Sequence, residues 1–217
     1  MFYGLVGIIV RAILAIGTRS TVIDGERIPG AGPFILVANH LNLVDPPVLG
    51  SLLPRRITFM AKEELFGVPV VGWVVKWYGA FSVRRGQPDR QALRTATEVL
   101  QHGGALGIFP EGHRSESGEM IDAHPGAALI AVMSGAPVVP VAIVGTERLR
   151  SPLSLFVRPR IVIRVGEPFV LEREGSRKEG LESATRHMMG RVASLLPVER
   201  RGVYAADVRN DDSPLSV

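Results

Sequence analysis

Apolar positions along this chain fall into short unbroken runs separated by amphipathic stretches. FILVA (34–38), ITFMA (57–61), AFSV (80–83), ALGIF (105–109), PVVPVAIV (137–144) and IVIRV (161–165) are too short for helices. They are apolar at consecutive positions, as in strands buried on both faces. The prolines of 137–144 predict an edge strand or a bulge there. Helical patterns lie between the runs. Residues 45–53 open on Asp45 as N-cap, with Pro46 in the first turn. Residues 68–77 read as an apolar helix despite two β-branched pairs. In 88–102, Leu93, Ala96, Val99 and Leu100 share one face, with Pro88 suiting the start and Gly103 the end. Pro125 to Ser134 is a helix ended by Gly135, and 176–196 is the last. The alternation predicts a single α/β domain with a mostly parallel central sheet flanked by helices.

The two ends differ from this pattern. Residues 1–17 are apolar except for Arg11. They are too short and interrupted for a membrane span, and they lack the basic start and cleavage site of a signal peptide. The expectation is an apolar helix over 1–20 that lies in a membrane interface or packs on the domain. The domain itself should cover 21–198, and 199–217 read as a polar C-terminal tail.

Composition narrows the function. At 46% hydrophobic residues the chain can bury a core, and a mean hydropathy of +0.22 suggests either a very large one or a surface in contact with lipid. The chain has no cysteine, which removes disulfides, a thiol nucleophile and thiolate metal sites. The net charge of +4 suggests an anionic partner: nucleic acid, lipid headgroups or a phosphorylated substrate. Aromatics at 6%, with no helix-turn-helix or finger pattern, argue against nucleic acid.

Three polar clusters follow predicted strands. They are Asn39-His40, Arg84-Arg85-Gly86 and the segment Pro110 to Ser115. In parallel sheets ligands collect beyond the carboxyl ends of strands, so one cleft would gather a base, carboxylates and guanidinium groups. His40 and Asp45 fit a catalytic pair in which the carboxylate accepts from Nδ1 and leaves Nε2 as a base. They also fit a metal site, with Glu111 or His113 as a further ligand, or a plain helix start. Arg85 and Arg114 suit paired hydrogen bonds to phosphate oxygens. Glu111 could orient a substrate hydroxyl or pair with an arginine, and Gly112 lets backbone approach a ligand. Ser115 is a conceivable nucleophile, but no G-x-S-x-G elbow surrounds it; HExxH, P-loop and GxGxxG patterns are also missing.

Four blocks in this order resemble the 1-acylglycerol-3-phosphate (lysophosphatidic acid) acyltransferases, the PlsC-like glycerolipid acyltransferases. NHLNLVD (39–45) is similar to the family's NHx4D block, GAFSVRR (79–85) to the second, FPEGHRS (109–115) to the third and APVVPVAI (136–143) to the fourth. AKEELFGVPVVGW (61–73) is similar to the connecting segment, with Lys62 matched. The likeness runs over about residues 20–145. One departure is Pro125, where members often carry a basic residue. The resemblance implies transfer of a fatty acyl group from acyl-CoA or acyl carrier protein to the sn-2 hydroxyl of 1-acylglycerol 3-phosphate, giving phosphatidic acid. His40 would be the general base, oriented by Asp45. Lys62, Arg85 and Arg114 would hold the acceptor phosphate, and Glu111 and Gly112 would shape the acceptor site. No cofactor or metal is implied. The enzyme would work at a membrane surface, on the cytoplasmic face of the plasma membrane. Other acceptors (another lysophospholipid, glycerol 3-phosphate, a glycolipid) keep the same chemistry. A basic peripheral protein that only binds anionic lipid is the non-enzymatic rival, and metal-dependent hydrolysis is a third reading.

Overall fold

The computed structural model describes residues 2–69, 71–84, 89–172 and 177–208. Strands β1 (Arg19–Ile23), β2 (Phe34–Ala38), β3 (Ile57–Lys62), β4 (Phe81–Val83), β5 (Ala105–Ile108), β6 (Val138–Val144) and β7 (Arg160–Val165) form a seven-stranded sheet in the order β1-β7-β6-β2-β5-β3-β4. Neighbouring strands are parallel except β6 and β7. Helices α1 (Phe2–Gly17), α2 (Asp45–Leu52), α3 (Val71–Trp77), α4 (Arg90–Gln101), α5 (Gly126–Ser134) and α6 (Arg177–Ser194) flank it.

The continuous apolar runs are explained by burial on both faces. Ile35, Val37, Leu106, Ile108, Val138 and Ala142 pack with side chains of α4, α5 and α6. The alternate residues Phe34, Leu36, Ala38, Val139, Val141 and Ile143 pack with Leu14 of α1 and Val48 and Leu49 of α2. The chain therefore leaves adjacent strands β2 and β5 toward opposite faces. β2 runs into α2 on one side and β5 leads to α5 on the other. This divergence opens a crevice at their carboxyl ends, the usual ligand position in such sheets.

Several elements depart from the pattern. β1 escapes the sequence reading because RSTVI sits at a sheet edge with Arg19 and Thr21 exposed, so its apolar signal is weak. β6 is interior rather than an edge, but the bulge its prolines suggested is present. Val138 pairs with Phe169 and Ala142 with Arg164, so the pairing slips by one residue across Pro140. Pro140 thus lacks its N–H where the ladder is already interrupted. α4 is capped by Asp89, whose carboxylate accepts from Ala92 N–H at 3.0 Å; Pro88, the expected start, lies outside the described residues. That bond and one from Arg84 N–H hold the carboxyl below its usual range. The apolar segment 68–77 becomes helical only from Val71, after a 3₁₀ turn at Glu63–Gly67.

The polar tail begins later than expected. Residues Val198–Arg200 and Gly202–Asp207 form 3₁₀ turns, and Tyr204 is buried with its Oη accepting from Ala123 N–H at 2.8 Å. The segment is also tied down by Arg200 pairing with Glu147 at 2.9 Å and Asp207 with Arg186 at 2.7 Å. Residues 209–217 lie outside the described residues.

Gly107 in β5 lies under the buried Phe59 ring, and a methyl group there would run into that ring and come within 2.8 Å of Ile57 Cγ2. Gly107→Ala should destabilise the domain by about 1–3 kcal/mol through overpacking, read as a lower urea midpoint at unchanged slope.

Candidate active site

β2 ends at Ala38, and the next four residues are pinned by side chains. Asn39 extends the ladder to β6: its Nδ2 donates to Ile143 C=O and its Oδ1 accepts from Ile143 N–H, both at 2.9 Å. Asn42 Nδ2 donates to the carbonyls of Thr146 and Leu149 at 2.7 and 3.1 Å. Between them sits His40. Its Nδ1 is 2.8 Å from Asp45 Oδ2, and the same oxygen accepts from Leu41 N–H at 2.7 Å and Asn42 N–H at 2.8 Å. A carboxylate only accepts, so it selects the tautomer with the proton on Nδ1 and leaves Nε2 as the lone-pair nitrogen. Asp45 is fully buried.

The helix-cap role expected of Asp45 is not what holds it. Val44 occupies the cap position, and Asp45 is the first helical residue. Its carboxylate turns back onto the loop before the helix rather than onward to the first-turn amides. Three donors on that loop outcompete the cap, and they bring the imidazole with them.

The loop after β5 grips His40 from three directions. The Phe109 ring stacks on the imidazole with centroids 4.3 Å apart, and Phe59 lies 5.8 Å beyond. Ser115 N–H donates to the His40 carbonyl at 2.9 Å, and the His40 N–H donates to Glu111 Oε1 at 3.4 Å. Glu111, expected to shape the acceptor site, is fully buried with its carboxyl on the His40 main chain. Burial pushes this carboxyl up to about 8; the N–H groups of His40 and Ile121 oppose the rise and the Asp45 charge adds to it. Ser115 is a turn residue, its Oγ accepting from Gly118 N–H at 3.0 Å. Gly112 adopts φ +73, and a methyl group there would stand 2.8 Å from His124 Cδ2.

The basic residues are less tightly gathered. Lys62 ends β3 beside Val83 of β4, half exposed and paired with Glu64 Oε1 at 3.1 Å. Arg114 is exposed on the loop that grips His40. Arg85 lies outside the described residues, directly after Arg84. His40, Glu111 and His113 do not converge, since Glu111 is buried and His113 exposed. Among the described residues no group of three or more His, Asp or Glu could hold a metal ion.

Two cavities flank Phe109 and Met60. One, of about 200 Å³, is bordered by His40, Leu43, Phe59, Ala61, Val74 and Tyr78. The other is a groove of about 590 Å³ bordered by Arg84, Leu93, Gly112, His124 and Ile130. Sequence reasoning missed Asn39, Asn42, Phe109 and the Ser115 amide as parts of the site. The signal available for the asparagines was their double hydrogen-bonding capacity in a loop between a strand and a helix. Phe109 read only as the end of a strand.

Comparison with known proteins shows the family and the fold. The acyltransferase family model matches residues 19–144. The chain is 34% identical over 159 residues to the 1-acyl-sn-glycerol-3-phosphate acyltransferase of Bacillus subtilis, covering 73% of this chain and 77% of the relative. It is 36% identical over 112 residues to the lyso-ornithine lipid O-acyltransferase of Pseudomonas aeruginosa, covering 51% and 43%. The crystal structure of the 1-acyl-sn-glycerophosphate acyltransferase PlsC from Thermotoga maritima superposes with a TM-score of 0.62 at 29% identity, over 81% of this chain and 74% of that one.

Asp45→Ala removes three hydrogen bonds from one buried oxygen. It should cost at least about 3 kcal/mol in urea denaturation, whereas Asp45→Asn, which keeps an acceptor, should cost clearly less.

Proposed function

Because this chain belongs to the acyltransferase family, we propose that it moves a fatty acyl group from acyl-CoA or acyl carrier protein to the sn-2 hydroxyl of 1-acylglycerol 3-phosphate, with His40 as general base. The observation that carries the reading is the His40–Asp45 pair opening on an apolar cavity of about 200 Å³. The Asp45 carboxylate fixes the proton on Nδ1, so Nε2 takes the acceptor hydroxyl proton as oxygen attacks the thioester carbonyl. The C–S bond then breaks. The departing thiolate, whose conjugate acid has a pKa of about 8.5, takes the proton back from the imidazolium. The buried Asp45 charge stabilises that transient cation. No acyl-enzyme is involved.

The apolar cavity takes hydrocarbon next to the reacting carbonyl. Lys62, Arg85 and Arg114 attract the acceptor phosphate, with Gly112 keeping the loop low enough for it to pass. A phosphate-free acceptor is the second reading. It is favoured by the likeness to the Pseudomonas lyso-ornithine lipid enzyme and by Pro125 standing where related chains often have a basic residue.

Both substrates are lipidic, and the protein meets them at a membrane surface. Among the described residues no helix is long and apolar enough to cross a membrane. α1 instead buries Leu14 against the domain and exposes Ile8, Ile9, Ile13 and Ile16. The adjoining turn Pro152–Val157 packs Leu155 against the end of α1 and exposes Leu153, Phe156 and Val157. Exposed apolar side chains on touching elements, in a protein of net charge +4, suit an anionic bilayer. With acyl-CoA or acyl carrier protein as donor, the reading puts the enzyme at the cytoplasmic face of the plasma membrane. In this reading the expected membrane-contacting segment 1–20 narrows to α1, and the catalytic domain starts at β1 rather than at 21 and runs past 198 to the turn Gly202–Asp207.

His40→Ala should lower thiol release from acyl-CoA in the presence of acceptor by at least about 10²–10⁴-fold while the protein still melts in one cooperative transition; full activity would sink the mechanism, and activity lost to a chelator would favour metal-dependent hydrolysis. Arg114→Ala should raise KM for a phosphorylated acceptor and leave kcat nearly unchanged. An unchanged KM for that acceptor, with turnover of a phosphate-free lysolipid, would favour the second reading. Phe156→Ser with Val157→Ser should weaken sedimentation with phosphatidylglycerol vesicles about tenfold or more, since each buried apolar side chain contributes about 1.5–3 kcal/mol, at unchanged melting temperature.

A further inference from the structure

The loop after β5 holds both main-chain polar groups of a single residue. Its Ser115 N–H takes the His40 carbonyl, and its Glu111 carboxyl takes the His40 N–H. Such a pair fixes the peptide on either side of the imidazole, so it sets where the ring starts from. One half of the clamp is chemically odd. Glu111 has no exposure, no ion pair to it occurs among the described residues, and its Oε2 has no hydrogen-bond partner. A charged carboxylate in that position would be a buried anion without a cation, a few steps from the equally buried Asp45. A carboxylic acid fits without that cost.

We propose that Glu111 is a positioning residue that works as a neutral carboxylic acid: Oε1 accepts the His40 N–H, while the retained proton keeps a second negative charge away from the His40–Asp45 pair. The inference rests on His40 being the base. It separates two carboxyls that the sequence placed in one polar cleft. Asp45, with three donors on one oxygen, carries the charge. Glu111, whose Oε1 accepts the His40 N–H at 3.4 Å and whose Oε2 has no partner, carries the proton. The ionisable groups that bear on it are Asp45 on α2 and Tyr204 on the C-terminal 3₁₀ turn; Asp122 and Arg186 bear on Tyr204 in turn.

The pH dependence follows in sign. Burial raises the Glu111 carboxyl from 4.5 to about 8 in the fold. Between those values the unfolded chain gives up a proton that the folded protein keeps, so this group's contribution to stability falls as pH rises through that window and levels off above it. Glu111→Gln removes the titration and keeps the shape and the acceptor oxygen.

The test compares Glu111→Gln, Glu111→Ala and the wild type by thermal melting from pH 4.5 to 9 and by thiol release from pH 6 to 9.5, with His40→Ala alongside. The melting temperature of Glu111→Gln should gain steadily on the wild type from pH 5 to 8. Wild-type kcat should fall above about pH 8, and that alkaline fall should be missing in Glu111→Gln. Glu111→Ala should lose about 10²-fold in kcat, as expected for a misplaced base, with KM little changed, and Glu111→Gln should restore most of that loss. The proposal is overturned if the Gln and wild-type melting curves keep a constant gap, or if Glu111→Gln is as inactive as Glu111→Ala while still folded. Normal turnover by His40→Ala would instead overturn the base assignment on which it rests.

Discussion

One oxygen atom, Asp45 Oδ2, organises the site. It accepts from the His40 ring and from two consecutive backbone amides, all within 2.8 Å. The amides fix the carboxylate, the carboxylate fixes the imidazole tautomer, and the pair is buried where solvent cannot compete. Because the loop closes over the six residues 39–44 between β2 and α2, the turn and the reactive geometry are the same object. Changing the side chain at position 45 changes both.

The sheet supplies the second constraint. β2 and β5 are neighbours, yet their following helices lie on opposite faces, so the chain must part exactly where His40 and the 109–115 loop emerge. Asn39 ties the first branch back to β6, and the Ser115 and Glu111 contacts tie the second branch to the first. The crevice is thus braced across three strands. Phe109 then forms the partition between a small apolar cavity and a wider groove, so one ring both supports the base and divides the space around it.

The two buried carboxyls show how similar residues become different reagents. Asp45 sits among donors and Glu111 sits largely without them, although both touch His40. Their chemistry is decided by the number of N–H groups aimed at each, which is a property of loop geometry. The apolar surface of α1 and of residues 152–157 is a separate feature. It lies on elements joined to the face that carries α2, so lipid contact need not disturb the loop that grips His40.

Much of this was legible in the chain. Consecutive apolar runs marked β2, β5, β6 and β7, where two-sided burial leaves no alternation to confuse, and also the less buried β3 and the edge strand β4. His40, Asp45, Gly112 and Arg114 stood out because strand ends followed by polar residues are where an α/β sheet exposes chemistry. β1 was missed since an edge strand buries too little to need a strong pattern, and the C-terminal segment looked loose since its anchors, the Tyr204 hydroxyl and the Arg200–Glu147 and Arg186–Asp207 pairs, are all long-range contacts. The proline-bearing β6 read as an edge or a bulge, and only the sheet order shows an interior strand with a slipped register. Glu111 is the sharpest case. The sequence determined that a carboxyl stands next to a glycine after a strand. Whether that carboxyl faces ligand or the back of His40 depends on how two loops from neighbouring strands cross, and such long-range contacts leave no local pattern in the order of residues.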